Sequence, residues 1–183
     1  MKNLIIFVIV LSFVTSCTVP LYVDNTLPFD TQQRIETAKI KDISFEYIPF
    51  PNADLISIQL DTNEYQYSAN ESFRFLLEEW GNTKFGYFSE NSSNKLTVKV
   101  LDYQYDTKGG IVTMSITHIV SMKVEVEINL NGQISKQTFS YNIQGSGGKS
   151  DNLSNVSESL HKLLVKFIIS IDKYTDNILE NRE

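Results

Sequence analysis

The sequence predicts an α+β fold in which an antiparallel sheet carries a short helix after its first strands and a long C-terminal helix packed on one face. Three observations lead there. Met114, Ile116, Val120, Met122, Val124, Val126, Ile128 and Leu130 occupy even positions, the period of a strand with one buried face. Asn131-Gly132 then supplies the two positive-φ residues that a type I′ hairpin turn requires. From Val156 to Tyr174 apolar residues return at helical spacing.

Taken in chain order, residues 1–16 are expected to form a lipoprotein signal peptide. Lys2 precedes Leu4 to Val14, a run apolar apart from Ser12. A bilayer span needs about twenty apolar residues, so this run is too short for a permanent helix and suits an export signal. Residues 17–38 hold Pro20, Asp24, Asn25, Pro28, Asp30, Gln32 and Gln33 with no sustained period, and are expected to be a lipidated N-terminus and tether. A single α+β periplasmic domain is expected over 39–183.

Within that domain Lys41–Ile48 and Asp54–Leu60 alternate as strands, separated by Pro49-Phe50-Pro51-Asn52. Phe73, Leu76, Leu77 and Trp80 form one stripe of a short helix that follows Ser68-Ala69-Asn70-Glu71, runs to about Trp80 and is expected to stop at Gly81. A short strand is expected at Phe85–Phe88. Over Lys95–Tyr105 the apolar positions shift from Leu96, Val98 and Val100 to Leu101, Tyr103 and Tyr105, which predicts a bulge near Leu101. Thr107–Gly110 closes a hairpin into the long strand ending at Leu130, for which a bend near His118–Ser121 is expected from its length. Gln133–Gln144 returns antiparallel, Gly145–Asp151 is expected as a loop, and the main helix runs over Leu153–Leu179.

Composition narrows the function. The 183 residues are 42% hydrophobic and 21% charged, an ordinary globular balance. Sixteen basic against 22 acidic residues give a net charge of -6, which argues against a nucleic-acid surface. Two His and one Cys leave little material for a metal cage, and neither His has a ligand at metal spacing. No cofactor is expected.

Gly145-Ser146-Gly147-Gly148-Lys149-Ser150 has the composition of a phosphate loop, yet the position that must be Gly, five before the final Gly-Lys-Ser, is Ile143. Glu78 with Glu79, or Glu125 with Glu127, could pair for glycan or peptide cleavage, with His118 or His161 assisting. Glu125 and Glu127 alternate with Val124 and Val126, which marks a solvated strand face. Glu78 and Glu79 lie off the apolar helix stripe. Tyr65, Tyr67, Tyr87, Tyr103 and Tyr105 read as core and rim before they read as a sugar-stacking platform. No catalytic set is expected, and an envelope hydrolase stands as the minor alternative.

Val14-Thr15-Ser16-Cys17 resembles the lipobox of bacterial lipoproteins, in which small residues precede a Cys that is diacylated on sulfur and becomes residue one. The resemblance implies lipidation at Cys17. An Asp after that Cys favours inner-membrane retention in enterobacterial lipoproteins; Thr18 stands there, which implies the outer membrane with the body facing the periplasm. From about Ser68 onward, Ser72-Phe73-Arg74-Phe75-Leu76-Leu77-Glu78-Glu79, the Asn131-Gly132 hairpin and Tyr141-Asn142-Ile143-Gln144-Gly145 followed by Asn152 and Asn155 resemble the YajG-type family of uncharacterised bacterial lipoproteins. That resemblance covers about two thirds of the chain and implies no active site.

The expectation is thus a non-enzymatic accessory lipoprotein that binds another envelope protein, with the Met122–Gln137 hairpin as one possible surface because a hairpin longer than its sheet needs cover. A more specific form resembles lipoproteins of the LptE type, which share the element order and touch lipopolysaccharide. Their basic contacts sit poorly with an acidic chain.

Overall fold

A computed structural model describes residues 18–40, 42–51, 56–60, 63–109, 115–148 and 152–181. Cys17, the signal segment, the Thr107–Gly110 turn beyond Gly109, and Lys149 lie outside them. The elements are β1 (Thr18–Pro20), α1 (Phe29–Gln32), β2 (Ser44–Ile48), β3 (Ile56–Leu60), β4 (Asn63–Tyr67), α2 (Ala69–Phe85), β5 (Lys95–Gly109), β6 (Ser115–Leu130), β7 (Gln133–Gly148) and α3 (Asn152–Glu180). The fold is α+β. Its large sheet has the order β2-β5-β6-β7, and a small sheet has the order β1-β4-β3.

The central meander follows the sequence closely. Every even β6 residue from His118 to Leu130 is buried, because these side chains meet the helices. Asn131 and Gly132 have φ of 52° and 84°, and Leu130 pairs with Gln133 across the turn. The β5/β6 register shifts between Val100 and Asp102, so Leu101 is the bulged residue. Val156, Leu160, Leu163, Leu164, Phe167, Ile168, Ile171 and Tyr174 on α3 are all buried. On α2 the Phe73, Leu76, Leu77 and Trp80 stripe is buried too, and Phe73 meets Phe167 edge-on at 5.9 Å between ring centres.

Several expectations are corrected. The strands expected as an antiparallel sheet form two sheets, in which β2 pairs parallel with β5 and β1 parallel with β4. Alternation of apolar residues specifies a face and carries no strand direction. Asn63–Tyr67 is an additional strand, the return arm of a hairpin with β3. The helix does not stop at Gly81; it continues to Phe85 and ends at Gly86, whose φ is +85°. Gly81 serves packing instead, since a Cβ there would lie 2.0 Å from the Phe88 ring. Phe85 is consequently helical, and Tyr87 and Phe88 belong to no strand. Gly145–Gly148 extends β7, because each residue pairs with β6. β6 keeps its register with β7 throughout 115–130, and β5 pairs along β6 from Ile116 to Asn129, so among the described residues the hairpin does not overhang the sheet.

The tether expected up to residue 38 is a packed strap over its described part. Thr18–Pro20 pairs with Glu64–Gln66, and Leu21, Val23, Leu27, Thr31, Ile35 and Ala38 are buried. Ser157 Oγ donates to the Tyr22 carbonyl at 2.8 Å, and the Ala38 N–H donates to the Lys84 carbonyl at 2.7 Å. The strap thereby crosses from the small sheet over α3 to the end of α2.

Candidate binding groove

A concavity of about 680 Å³ lies between edge strand β2 and the first half of α2. Period two puts Phe45 and Tyr47 on the same side of β2. Phe45 stacks on Phe88 at 4.6 Å, and Tyr47 meets Phe73 edge-on at 6.1 Å. These contacts fix the floor. Ser68 caps α2 by accepting the Glu71 N–H at 3.3 Å, which sets where the helix begins.

Asn70, in the first turn, is buried and holds the opposite bank. Its Oδ1 accepts Tyr47 Oη and the Phe50 N–H, each at 3.2 Å, while its Nδ2 donates to the Phe50 carbonyl at 3.1 Å. One amide therefore ties the Pro49-Phe50-Pro51 turn to both β2 and α2. On the rim, Arg74 Nε donates to Glu78 Oε1 at 2.8 Å, and this hydrogen bond raises the Arg74 pKa further. Phe75 projects beside them, 47% exposed. An aromatic floor, one exposed Phe and a rim of one cation with two carboxylates can hold an apolar or mixed ligand surface. Among the described residues the lining holds no Cys, His or Lys, and its Ser68 hydroxyl is the helix cap.

The carboxylates and histidines considered from sequence are dispersed. Glu78 belongs to the Arg74 pair. Glu79 holds the strap, accepting the Leu27 N–H at 2.8 Å and Gln32 Nε2 at 2.7 Å. Glu125 and Glu127 lie on the outer face of the large sheet, opposite Lys99 and Thr97 of β5, and Glu127 pairs with Lys136 at 2.5 Å. His118 is buried and shares a 2.8 Å hydrogen bond with Tyr105 Oη. His161 Nδ1 donates to the Asp24 carbonyl at 2.7 Å, another fastening of the strap. Among the described residues no cluster of His, Cys, Asp or Glu could hold a metal ion.

The tyrosines separate as well. Tyr67 and Tyr103 are buried and Tyr105 is half-buried, and desolvation pushes all three hydroxyl pKa values upward; at Tyr103 neighbouring Tyr67 and Tyr105 add to it. Tyr87 is exposed. They make no shared stacking surface.

One group escaped the sequence reading. Lys84 is fully buried between α2 and α3, with Nζ 3.1 Å from Asp172 Oδ1 and also paired with Asp176. Trp80 Nε1 donates to the same Asp172 oxygen at 2.9 Å. The signal was present: Lys84 lies four residues past Trp80 and continues the buried stripe, and Asp172 and Asp176 are one turn apart. A cation in phase with an apolar stripe needs an anion on the facing helix. Asp176 also reaches a second concavity of about 540 Å³ beside the Asn131 turn.

No protein-family model matches the chain, and no protein of curated function matches it. A solved structure titled only as that of an uncharacterized protein matches with a TM-score of 0.52, over 86% of this chain and 99% of that chain, at 11% sequence identity. This likeness bears on the fold alone.

Proposed function

We propose that the chain is a lipoprotein of the bacterial envelope, anchored in the outer membrane through acyl chains on Cys17 and facing the periplasm. There it acts as a non-enzymatic accessory that binds another envelope component. The observation that carries this reading is Val14-Thr15-Ser16-Cys17 behind an apolar run too short to span. The packed strap adds to it: Thr18, the next residue after Cys17, is already in β1, so the anchor would hold the body close to the bilayer. The groove between β2 and α2 is the surface offered to the partner. Its rim of one Arg and two Glu favours a protein partner over the phosphates of lipopolysaccharide.

The test combines fractionation with purification in mild detergent from the native envelope. Cys17→Ala should move the protein to the soluble fraction. The lipidated protein should bring down one component near equal stoichiometry, and the rim change Phe75→Glu should lose it. Membrane retention of Cys17→Ala overturns the anchor, and co-purification indifferent to Phe75→Glu overturns the groove.

A further inference from the structure

The second edge of the large sheet carries an inference independent of the groove. Among the described residues β7 is the terminal strand, sixteen residues long, and its register with β6 shows no bulge from Gln133 to Gly148. At about 3.4 Å per residue that edge runs on the order of 50 Å. The two-residue turn makes Leu130 and Gln133 a hydrogen-bonded pair, so odd residues of β7 bond to β6. The even residues from Ile134 to Ser146 therefore aim both N–H and C=O away from the sheet, and all of them are exposed.

Natural edges are blunted by Pro, charges, bulges or shortness. β7 has no Pro, no acidic residue and one charge, Lys136. Such an edge accepts another strand.

The neighbouring flank of α3 states what kind. Ser170 Oγ lies 2.7 Å from Tyr141 Oη, Lys166 Nζ lies 4.3 Å above the Tyr141 ring, and Ser159 abuts Gly145. These contacts identify the side of α3 above β7, whereas Asp172 and Asp176 face α2 on the other side. Helical spacing places Lys162 and Lys173 on the same flank as Lys166, all three exposed. Two carboxylates lie along that row among the described residues: Glu158, paired with Lys162 at 2.5 Å, and Glu180, seven residues past Lys173. Three lysines against these two carboxylates leave the row positive on a chain of net charge -6, and Lys166 and Lys173 in its middle have no carboxylate between them on that row.

We propose that the free edge of β7 binds an extended acidic polypeptide segment of a partner protein as a fifth strand, its alternate carboxylates turned toward the α3 lysines. Alternating donors and acceptors along the edge match a peptide backbone and no lipid headgroup. A second copy of this chain, pairing antiparallel about a two-fold axis, would bring lysine row against lysine row, so the partner is a different chain.

The test uses the lipidated protein in detergent micelles and two fluorescent decapeptides, one alternating Thr with Glu and one alternating Thr with Lys, followed by anisotropy. The Glu peptide should bind at least tenfold more tightly than the Lys peptide, with the difference shrinking as salt rises. Ser140→Pro removes an outward N–H while sparing the β6 ladder, and should weaken binding at least tenfold with Tm unchanged. Lys166→Glu with Lys173→Glu should invert the peptide preference, and this pair serves if Ser140→Pro fails to fold. Equal binding of the two peptides, or affinity unchanged in both variants, overturns the proposal. So does a concentration-dependent dimer that Ser140→Pro dissolves, which would assign the edge to a second copy.

Discussion

Glu79 Oε2 accepts the backbone N–H of Leu27 at 2.8 Å across 52 residues of sequence, and its other oxygen accepts Gln32 Nε2 at 2.7 Å. A carboxylate that could have been read as an acid or base is a clasp for the strap. Hydrogen bonds to a charged group contribute about 1.5–3 kcal/mol each, less where water competes. Glu79→Ala should lower unfolding stability by about 2 kcal/mol in urea titration. It should also speed limited proteolysis within residues 24–33 ahead of the rest of the chain. Cleavage spread evenly over the chain would contradict the clasp.

Lys84 is the most consequential buried charge. Its removal leaves Asp172 and Asp176 facing each other between two helices, and breaking a buried pair costs about 3–5 kcal/mol. Both carboxylates retain some access to water, so Lys84→Met should fall near the lower end, about 3 kcal/mol. Asp176→Asn should cost less than Asp172→Asn, because Asp172 also holds Trp80 and is the more buried. Chemical denaturation of the three variants checks the order.

Gly81 should tolerate no side chain. The added Cβ of Gly81→Ala would fall 2.0 Å from the Phe88 ring, which is itself stacked on Phe45, so overpacking of about 1–3 kcal/mol is expected. Combining it with Phe88→Leu should recover part of that loss, a coupling that a double-mutant cycle measures directly. Gly145→Ala should be milder, since the close contact there is the Ser159 hydroxyl, which can turn aside.

Alkaline pH should unfold the protein through its tyrosines. Tyr67, Tyr103 and Tyr105 have hydroxyl pKa values raised above the ordinary 10 by burial. A raised folded value means the unfolded chain releases its proton first, so this contribution is complete below pH 10 and is lost as pH climbs through the folded values. For Tyr67 and Tyr103 the slope approaches about 1.4 kcal/mol per pH unit each, and half-exposed Tyr105 adds less. Absorbance at 295 nm should show these tyrosines ionising together with loss of structure; early titration of all nine tyrosines in the folded state would contradict it.

What was legible depended on how regular each burial was. β6 alternates because one whole face meets α3 and the core, and Asn131-Gly132 writes its turn in two residues. The bulge at Leu101 was visible as a phase change. The strap was not visible, because Leu21, Val23, Leu27 and Ile35 are buried at irregular intervals by side-chain fastenings to Glu79, His161 and Ser157, which lie far away in sequence. Parallel pairing of β2 with β5 leaves no local mark either, since Phe45 and Tyr47 alternate the same way in either direction. In the groove, Phe45, Tyr47 and Phe73 could be read as apolar, whereas the role of Asn70 needed the fold that brings Phe50 to it.

Intact mass spectrometry of the protein purified from its own membranes decides the proposed attachment through Cys17. The expected species is a chain beginning at Cys17 whose mass exceeds that of the polypeptide by a diacylglyceryl group, with or without a further amide-linked acyl chain. A chain that retains Met1, begins at another residue, or carries an unmodified Cys17 would contradict it.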